Sequence, residues 1–300
     1  MIAATPHFRL RASEWALVGF FAYIAVLPPF FPDRPHLSYQ PALVLMGAFI
    51  LLCAVARAEK DPKSESIVAL LRDWLPILLT YIAFREMELF LPRHFSGLLE
   101  TKWLAQDQIF LDNWHVRAAI EHFGAIVPFY LELCYLLVYG VAVFCILVLY
   151  ANKRRRSIDL FFVIYLTGTL GAYALFPYFP SRPPRLVFSG LDQPSVITWM
   201  RELNLYILSK ATIHAGVFPS AHVSSAFSAA WAMFLLLPHR KAFGWGLLFY
   251  AVSVSIATIY GRYHYVADVV AGFCVSLIAA ALCIAVSIWK ARIETHVPFK

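Results

Sequence analysis

Eight runs of mostly apolar residues, separated by shorter polar segments, set the pattern of the chain: 15–31, 41–57, 74–92, 126–150, 158–176, 218–237, 242–260 and 266–289. Each approaches the roughly 20 residues a helix needs to cross the hydrocarbon core of a bilayer. Lipid offers no partner to an open strand, so spans of this kind are helical. The pattern predicts an all-α polytopic membrane protein with about eight transmembrane helices. It divides into an N-terminal set of membrane helices over 1–150 and a helix bundle over 151–300. Segment 93–125 mixes Trp103, Leu104, Ile109, Phe110 and Trp114 with charges and reads as one or two amphipathic helices lying in the interface. Segment 177–217 opens on a proline cluster and holds Ser195 to Met200, a further interfacial helix with Asp192 or Ser195 near its start.

Composition agrees with the pattern. The chain of 300 residues is 61% hydrophobic and only 14% charged, against roughly 25% charged in a soluble domain. That excludes disorder and argues against a soluble enzyme. The net charge of +7 is explained by where it sits. Arg9 and Arg11, then Arg57, Lys60, Lys63 and Arg72, then Lys153 to Arg156, then His239 to Lys241, and finally Lys290 and Arg292 all fall on one side if every run crosses. The positive-inside rule makes that side cytoplasmic, with both termini, and leaves 93–125 and 177–217 on the extracytoplasmic side. Nucleic acid is therefore not an expected partner. The first run ends in Pro28-Pro29 without a clear small-residue cleavage site and reads as a span rather than a leader. Cys53, Cys134, Cys145, Cys274 and Cys283 lie in apolar runs and read as small buried hydrophobes, and no metal site or cofactor is indicated.

Three polar patches map to the extracytoplasmic side. The first is Phe179 to Arg185, with Arg182 and Arg185 on a proline-stiffened loop; guanidinium forks suit phosphate oxygens. The second is Phe218-Pro219-Ser220-Ala221-His222 at the start of the sixth run. There Pro219 fits a first helical turn, Ser220 adds a hydroxyl donor, and His222 is placed to protonate a departing oxygen. The third runs from Tyr260 to Asp268. His264 and Asp268 are four apart, on one helix face, where a carboxylate fixes the imidazole tautomer and makes its other nitrogen a better nucleophile. Taken singly, each patch has a structural reading: a self-satisfied pair, a packed histidine, headgroup anchors. Together they point to phosphoryl transfer.

The paired motifs Pro219-Ser220-x-His222 and His264-x-x-x-Asp268 resemble those of the type 2 phosphatidic acid phosphatase and vanadium haloperoxidase superfamily, over about 160–285. The resemblance implies that the histidine matching His264 attacks phosphorus and becomes phosphohistidine, that Asp268 orients it, and that His222 protonates the leaving group. Arg182, Arg185, Ser220 and Arg262 are then the expected phosphate-binding groups. The hydrolase pattern places a Lys where this chain has Leu175, an Arg where it has Thr258, and Gly where it has Ala221. The segment Ala257-Thr258-Ile259-Tyr260 leading to His264-Tyr265 and Asp268 is more similar to the inositol phosphorylceramide synthase branch. That branch moves a phosphoryl headgroup from a phospholipid to a lipid or alcohol acceptor, so membrane lipids are the expected partners. The alternative is a lipid phosphate or pyrophosphate phosphatase that uses water. A transporter that kept the fold predicts loss of the reactive set, which is intact. Arg85, Glu86, Glu88 and Glu132 are charges within spans, expected to face protein or water and read first as structural pairs.

Overall fold

A computed structural model describes residues 9–34, 37, 39–59, 66–92, 94–190 and 192–296, with side chains as far as 286. Among these residues all regular structure is helical. The helices are α1 (Ala12–Val26), α2 (Gln40–Ala58), α3 (Ile67–Glu86), α4 (Leu98–Gln108), α5 (Val116–Glu121), α6 (Ile126–Leu137), α7 (Val141–Ala151), α8 (Ile158–Tyr173), α9 (Pro184–Val187), α10 (Trp199–Ala211), α11 (Ala221–Leu236), α12 (Lys241–Tyr260) and α13 (Val266–His296).

Five stretches are long and apolar enough to cross a membrane: Gln40–Ala58, Ile67–Phe90, Ile126–Ala151, Lys241–Tyr260 and Val266–Val286. The other three expected spans fold as shorter helices. Pro28 and Pro29 end the first run in a 3₁₀ turn, and Phe218-Pro219 precedes α11 as loop. Fifteen or sixteen helical residues extend only about 22–24 Å, short of the roughly 30 Å hydrocarbon core.

α11 is the centre of the C-terminal bundle and packs on α8, α12 and α13. Its sequence explains this. Ser224, Ser225, Ala226, Ser228, Ala229, Ala230 and Ala232 are all buried, and such small side chains let neighbouring backbones come close. Gly168 on α8 is the tightest point, where an added Cβ would lie 2.0 Å from the Ser228 hydroxyl. Ser224 Oγ donates to the Gly168 carbonyl at 2.9 Å. α1 packs on α2, α3 and α8, so one apolar cluster runs from Leu17 and Phe21 through Cys145 to Phe161 and Ala229, across the 150/151 division.

At the end of the bundle away from the histidines, the basic segments prove to be partly neutralised. Arg72 pairs with Glu14 at 2.6 Å and with Glu59; Arg11 pairs with Asp73 at 2.6 Å, and Arg155 with Asp73 at 2.7 Å. Asp159 of α8 accepts from the Ser13 amide at 2.9 Å, satisfying a free donor at the start of α1. Lys60 and Lys63 lie outside the described residues, as do the side chains of Lys290 and Arg292. Cys134 and Cys145 are buried as expected, but Cys274 is exposed, because it sits on the outer apolar face of α13.

The two expected interfacial segments are ordered by their own polar residues. Segment 93–125 forms α4, a π-helical turn over Ile109–Asn113 and α5. α10 begins at Thr198, whose Oγ1 accepts from the Arg201 amide at 3.3 Å. The start expected at Asp192 or Ser195 is displaced because both have other partners. Asp192 pairs with Arg117 at 2.6 Å, and the Ser195 amide donates to Glu121 at 2.9 Å.

Candidate active site

The starts of α11 and α13 are docked together, and this brings the distant motifs into contact. The Ser220 amide donates to the Asp268 carbonyl at 2.9 Å. Gly272 permits the approach, since a Cβ there would lie 2.4 Å from the Ser220 carbonyl oxygen. The loop between α12 and α13 is held from inside: the amides of Tyr263 and His264 both donate to the Thr258 carbonyl, at 2.9 and 3.0 Å. Thr258, which replaces a cation of the hydrolase pattern, thus shapes the loop through its backbone.

His264 Nδ1 lies 3.1 Å from Asp268 Oδ2, which also accepts from the Tyr265 amide at 2.9 Å. His264 Nε2 lies 3.2 Å from His222 Nδ1. A carboxylate oxygen accepts, so His264 Nδ1 carries the proton and Nε2 presents a lone pair. Burial, with Arg185 nearby, pushes the His264 imidazole down to about 3, and the ring is neutral at physiological pH. The arrangement supplies a nucleophilic nitrogen, its orienting carboxylate and a second imidazole within reach of the same reacting atom.

A cavity of about 520 Å³ opens over this pair, lined by His222, His264, Arg185, Tyr135, Tyr139 and Tyr263 at its reactive end. Its far wall is apolar and comes from Ile77 and Phe84 of α3, Leu136 of α6, and Ile207 and Leu208 of α10. Among the described residues lining it, Arg185 is the one cation. Arg185 sits on α9, with its amide donating to the Arg262 carbonyl at 3.0 Å and its guanidinium 5.5 Å above the Tyr263 ring.

The other expected phosphate ligands are elsewhere. Arg182 does not line the cavity; its amide donates to Glu100 at 3.2 Å and its guanidinium lies over Phe95 at 5.1 Å. Ser220 is the N-cap of α11, fully buried, its Oγ accepting from the Val223 amide at 3.4 Å. Pro219 therefore precedes the cap instead of sitting in the first turn. Arg262 is fully buried and ion-paired with Asp107 at 2.7 Å and Asp192 at 2.5 Å. Its φ of 58° is left-handed, a strained state for a non-glycine residue, and the two carboxylates hold it there.

Several residues that hold the site are not among its expected members. Asp107 of α4 accepts from Arg262 at 2.7 Å and from the Val266 amide at 2.9 Å, so α4 supplies a cap for the start of α13. Trp103, one turn earlier, stacks on Phe218 at 5.2 Å. Glu132 bonds Arg201 at 2.9 Å, Asn204 at 2.8 Å and Tyr263 at 2.6 Å, tying α6, α10 and the loop between α12 and α13 together. Burial and that carboxylate push the Tyr263 phenol well up. Arg85 donates to the Thr212 carbonyl at 3.0 Å, and Glu88 bonds His214. Arg85, Glu88 and Glu132 thus have structural partners, whereas Glu86 is buried with one long contact, 3.5 Å, from Gln40 Nε2.

The family model described as the PAP2 superfamily matches residues 108–282, more than half of the chain, and includes both histidine motifs. No curated protein and no solved structure matches the chain.

Proposed function

Because the chain belongs to the PAP2 superfamily of lipid phosphatases and phosphotransferases, we propose that it moves a phosphoryl headgroup from a phospholipid to a lipid or alcohol acceptor through a phosphohistidine, as in inositol phosphorylceramide synthases. The observation that carries this reading is Arg185, the single guanidinium among the described residues lining the chamber, beside two histidines in an apolar space. A phosphate monoester brings close to two negative charges, and a phosphodiester brings one. Arg185 is the one permanently charged group among the described lining residues and matches the single charge of a diester, the bond a phospholipid donor presents; His222 takes up its proton only with the substrate bound and passes it on in the reaction.

In this reading His264 Nε2 attacks phosphorus and the P–O bond to the diacylglycerol oxygen breaks. His222, protonated beside the bound phosphate, gives its Nδ1 proton to that oxygen. The acceptor hydroxyl then attacks the phosphohistidine, its proton passes to His222 Nδ1, and the N–P bond breaks, which regenerates both rings. Asp268 holds the His264 ring throughout, and Arg185 binds the non-bridging oxygens. The apolar chamber under α10 keeps water from the intermediate. The catalytic end of the bundle faces the extracytoplasmic side, and the termini are cytoplasmic. Impermeant labelling of Ser189→Cys and Lys153→Cys from opposite faces tests that orientation.

The test of transfer uses the full chain in vesicles of mixed phospholipids labelled at phosphorus, with diacylglycerol and long-chain alcohols as acceptors. The expected result is label moving into a new lipid, and none moving with His264→Ala. Label released only into water, with acceptors present, overturns transfer in favour of a phosphatase.

A further inference from the structure

Tyr139 sits on a 3₁₀ turn, Val138–Gly140, that interrupts the long apolar stretch Ile126–Ala151. The interruption turns its side chain into the chamber, where its hydroxyl lies 3.3 Å from His222 Nε2. Its ring meets the imidazole edge-on at 5.4 Å, while Tyr135 lies tilted against the same ring at 5.2 Å and stacks on Tyr263 at 3.8 Å. His222 is therefore gripped by two tyrosines, and among the described residues Tyr139 is the one that bonds the nitrogen facing away from the reaction.

The direction of each bond follows from one end of the chain of contacts. Asp268 accepts, so His264 carries its proton on Nδ1 and accepts on Nε2. The 3.2 Å contact then requires His222 to donate from Nδ1, which leaves its Nε2 as an acceptor. Tyr139 is the donor to it. A hydroxyl both donates and accepts. When His222 is charged, or holds its proton on Nε2 after giving up the one on Nδ1, the Tyr139 oxygen turns to accept from that N–H.

We propose that Tyr139 is a positioning residue for His222, keeping its Nδ1 aimed at the leaving or incoming oxygen in each protonation state. The proposal rests on the phosphotransfer reading above, in which His222 serves the leaving and incoming oxygens. Tyr139 stands to His222 as Asp268 stands to His264, with a neutral partner in place of a carboxylate. A group that alternates between acid and base is served by a partner that does not fix its charge.

Two measurements test this on the full chain in detergent. The first compares wild type, Tyr139→Phe and His222→Gln on phosphodiester lipids with an alkyl or a p-nitrophenyl leaving group. The aryl oxide departs without a proton. Loss of one hydrogen bond to the acid corresponds to about tenfold in kcat. Tyr139→Phe is expected to lower kcat about tenfold on the alkyl donor, with KM little changed, and so to shift the alkyl-to-aryl rate ratio about tenfold in the direction of His222→Gln. Equal losses on both donors, or no loss, overturn the proposal. Wild type that turns over neither donor overturns the phosphotransfer reading, and this proposal with it. The second measurement is the ¹⁵N spectrum of histidine-labelled protein without substrate. His222 is expected as the Nδ1-protonated neutral tautomer in wild type, shifting toward Nε2-protonated in Tyr139→Phe. An Nε2-protonated His222 in wild type overturns the proposal whatever the variant does.

Discussion

Replacing Arg185 separates the geometry of this site from what its motifs alone convey. Arg182 and Arg185 lie three residues apart on one proline-rich loop, yet only Arg185 lines the chamber. Arg182 turns its guanidinium toward Phe95. A hydrogen bond to a charged group contributes about 1.5–3 kcal/mol, and a bidentate guanidinium–phosphate contact uses two. Removing the chamber's one described cation is thus expected to cost about 3–4 kcal/mol in the transition state, or roughly 200- to 1,000-fold in kcat/KM. Arg185→Lys keeps the charge but loses the planar fork, and is expected to recover only part of that loss. Arg182→Ala forfeits a cation–π contact and some packing, with an expected loss below about tenfold. The assay is initial rate on labelled phospholipid in mixed micelles at substrate well below KM, with thermal unfolding of each variant measured alongside. Arg182→Ala falling as far as Arg185→Ala, with both proteins folded, refutes the assignment and the single-cation argument built on it.

Three further outcomes follow from particular contacts. Asp107→Ala leaves the Val266 amide without its acceptor and breaks a fully buried pair with Arg262, and is expected to cost about 3–5 kcal/mol of stability; Asp107→Asn keeps an acceptor for Val266 and is expected to melt between it and wild type. His264 binds its proton near pH 3 when folded, below the value of about 6.5 for a free imidazole. Its contribution to stability is therefore flat well above pH 6.5 and falls as acid protonates the unfolded chain, so from pH 6.5 to 5 wild type is expected to lose about 1.6 kcal/mol relative to His264→Gln; parallel melting shifts would contradict the buried neutral ring. Ser220→Ala removes a cap and not a phosphate ligand, so a loss of about 1 kcal/mol in stability is expected with less than tenfold in rate, and a larger rate loss with stability intact would return Ser220 to the phosphate site.

How much was legible depended on how far apart the partners lie in the chain. His264 and Asp268 are one helical turn apart, so their contact is written in the spacing. The apolar runs likewise carry the all-helical architecture, because their length alone calls for a membrane. The contact between His222 and His264 depends on the docking of two helix starts 42 residues apart, which no local pattern encodes. Asp107 reads as one more charge on an amphipathic helix, and its partners are 155 and 159 residues away. Tyr139 is hidden in an apolar run where tyrosine is unremarked, and only the neighbouring Gly140 hints at the break. The arginines were indistinguishable for a different reason. A loop that prolines have stiffened still leaves each side chain free to point either way, and the choice was made by Phe95 and Glu100 on one side and by Tyr263 and Arg262 on the other.

The family match begins at residue 108, yet Ile77, Thr80, Tyr81 and Phe84 of α3 form one wall of the chamber. Part of the room around the reacting atoms thus comes from a stretch of the polypeptide outside the matched one. On the proposed reading, substitutions along one stripe of α3 reshape the space offered to an acyl chain without displacing a histidine, an aspartate or Arg185. If that reading holds, the choice among lipids can drift in α3 while the groups that do the chemistry stay as they are.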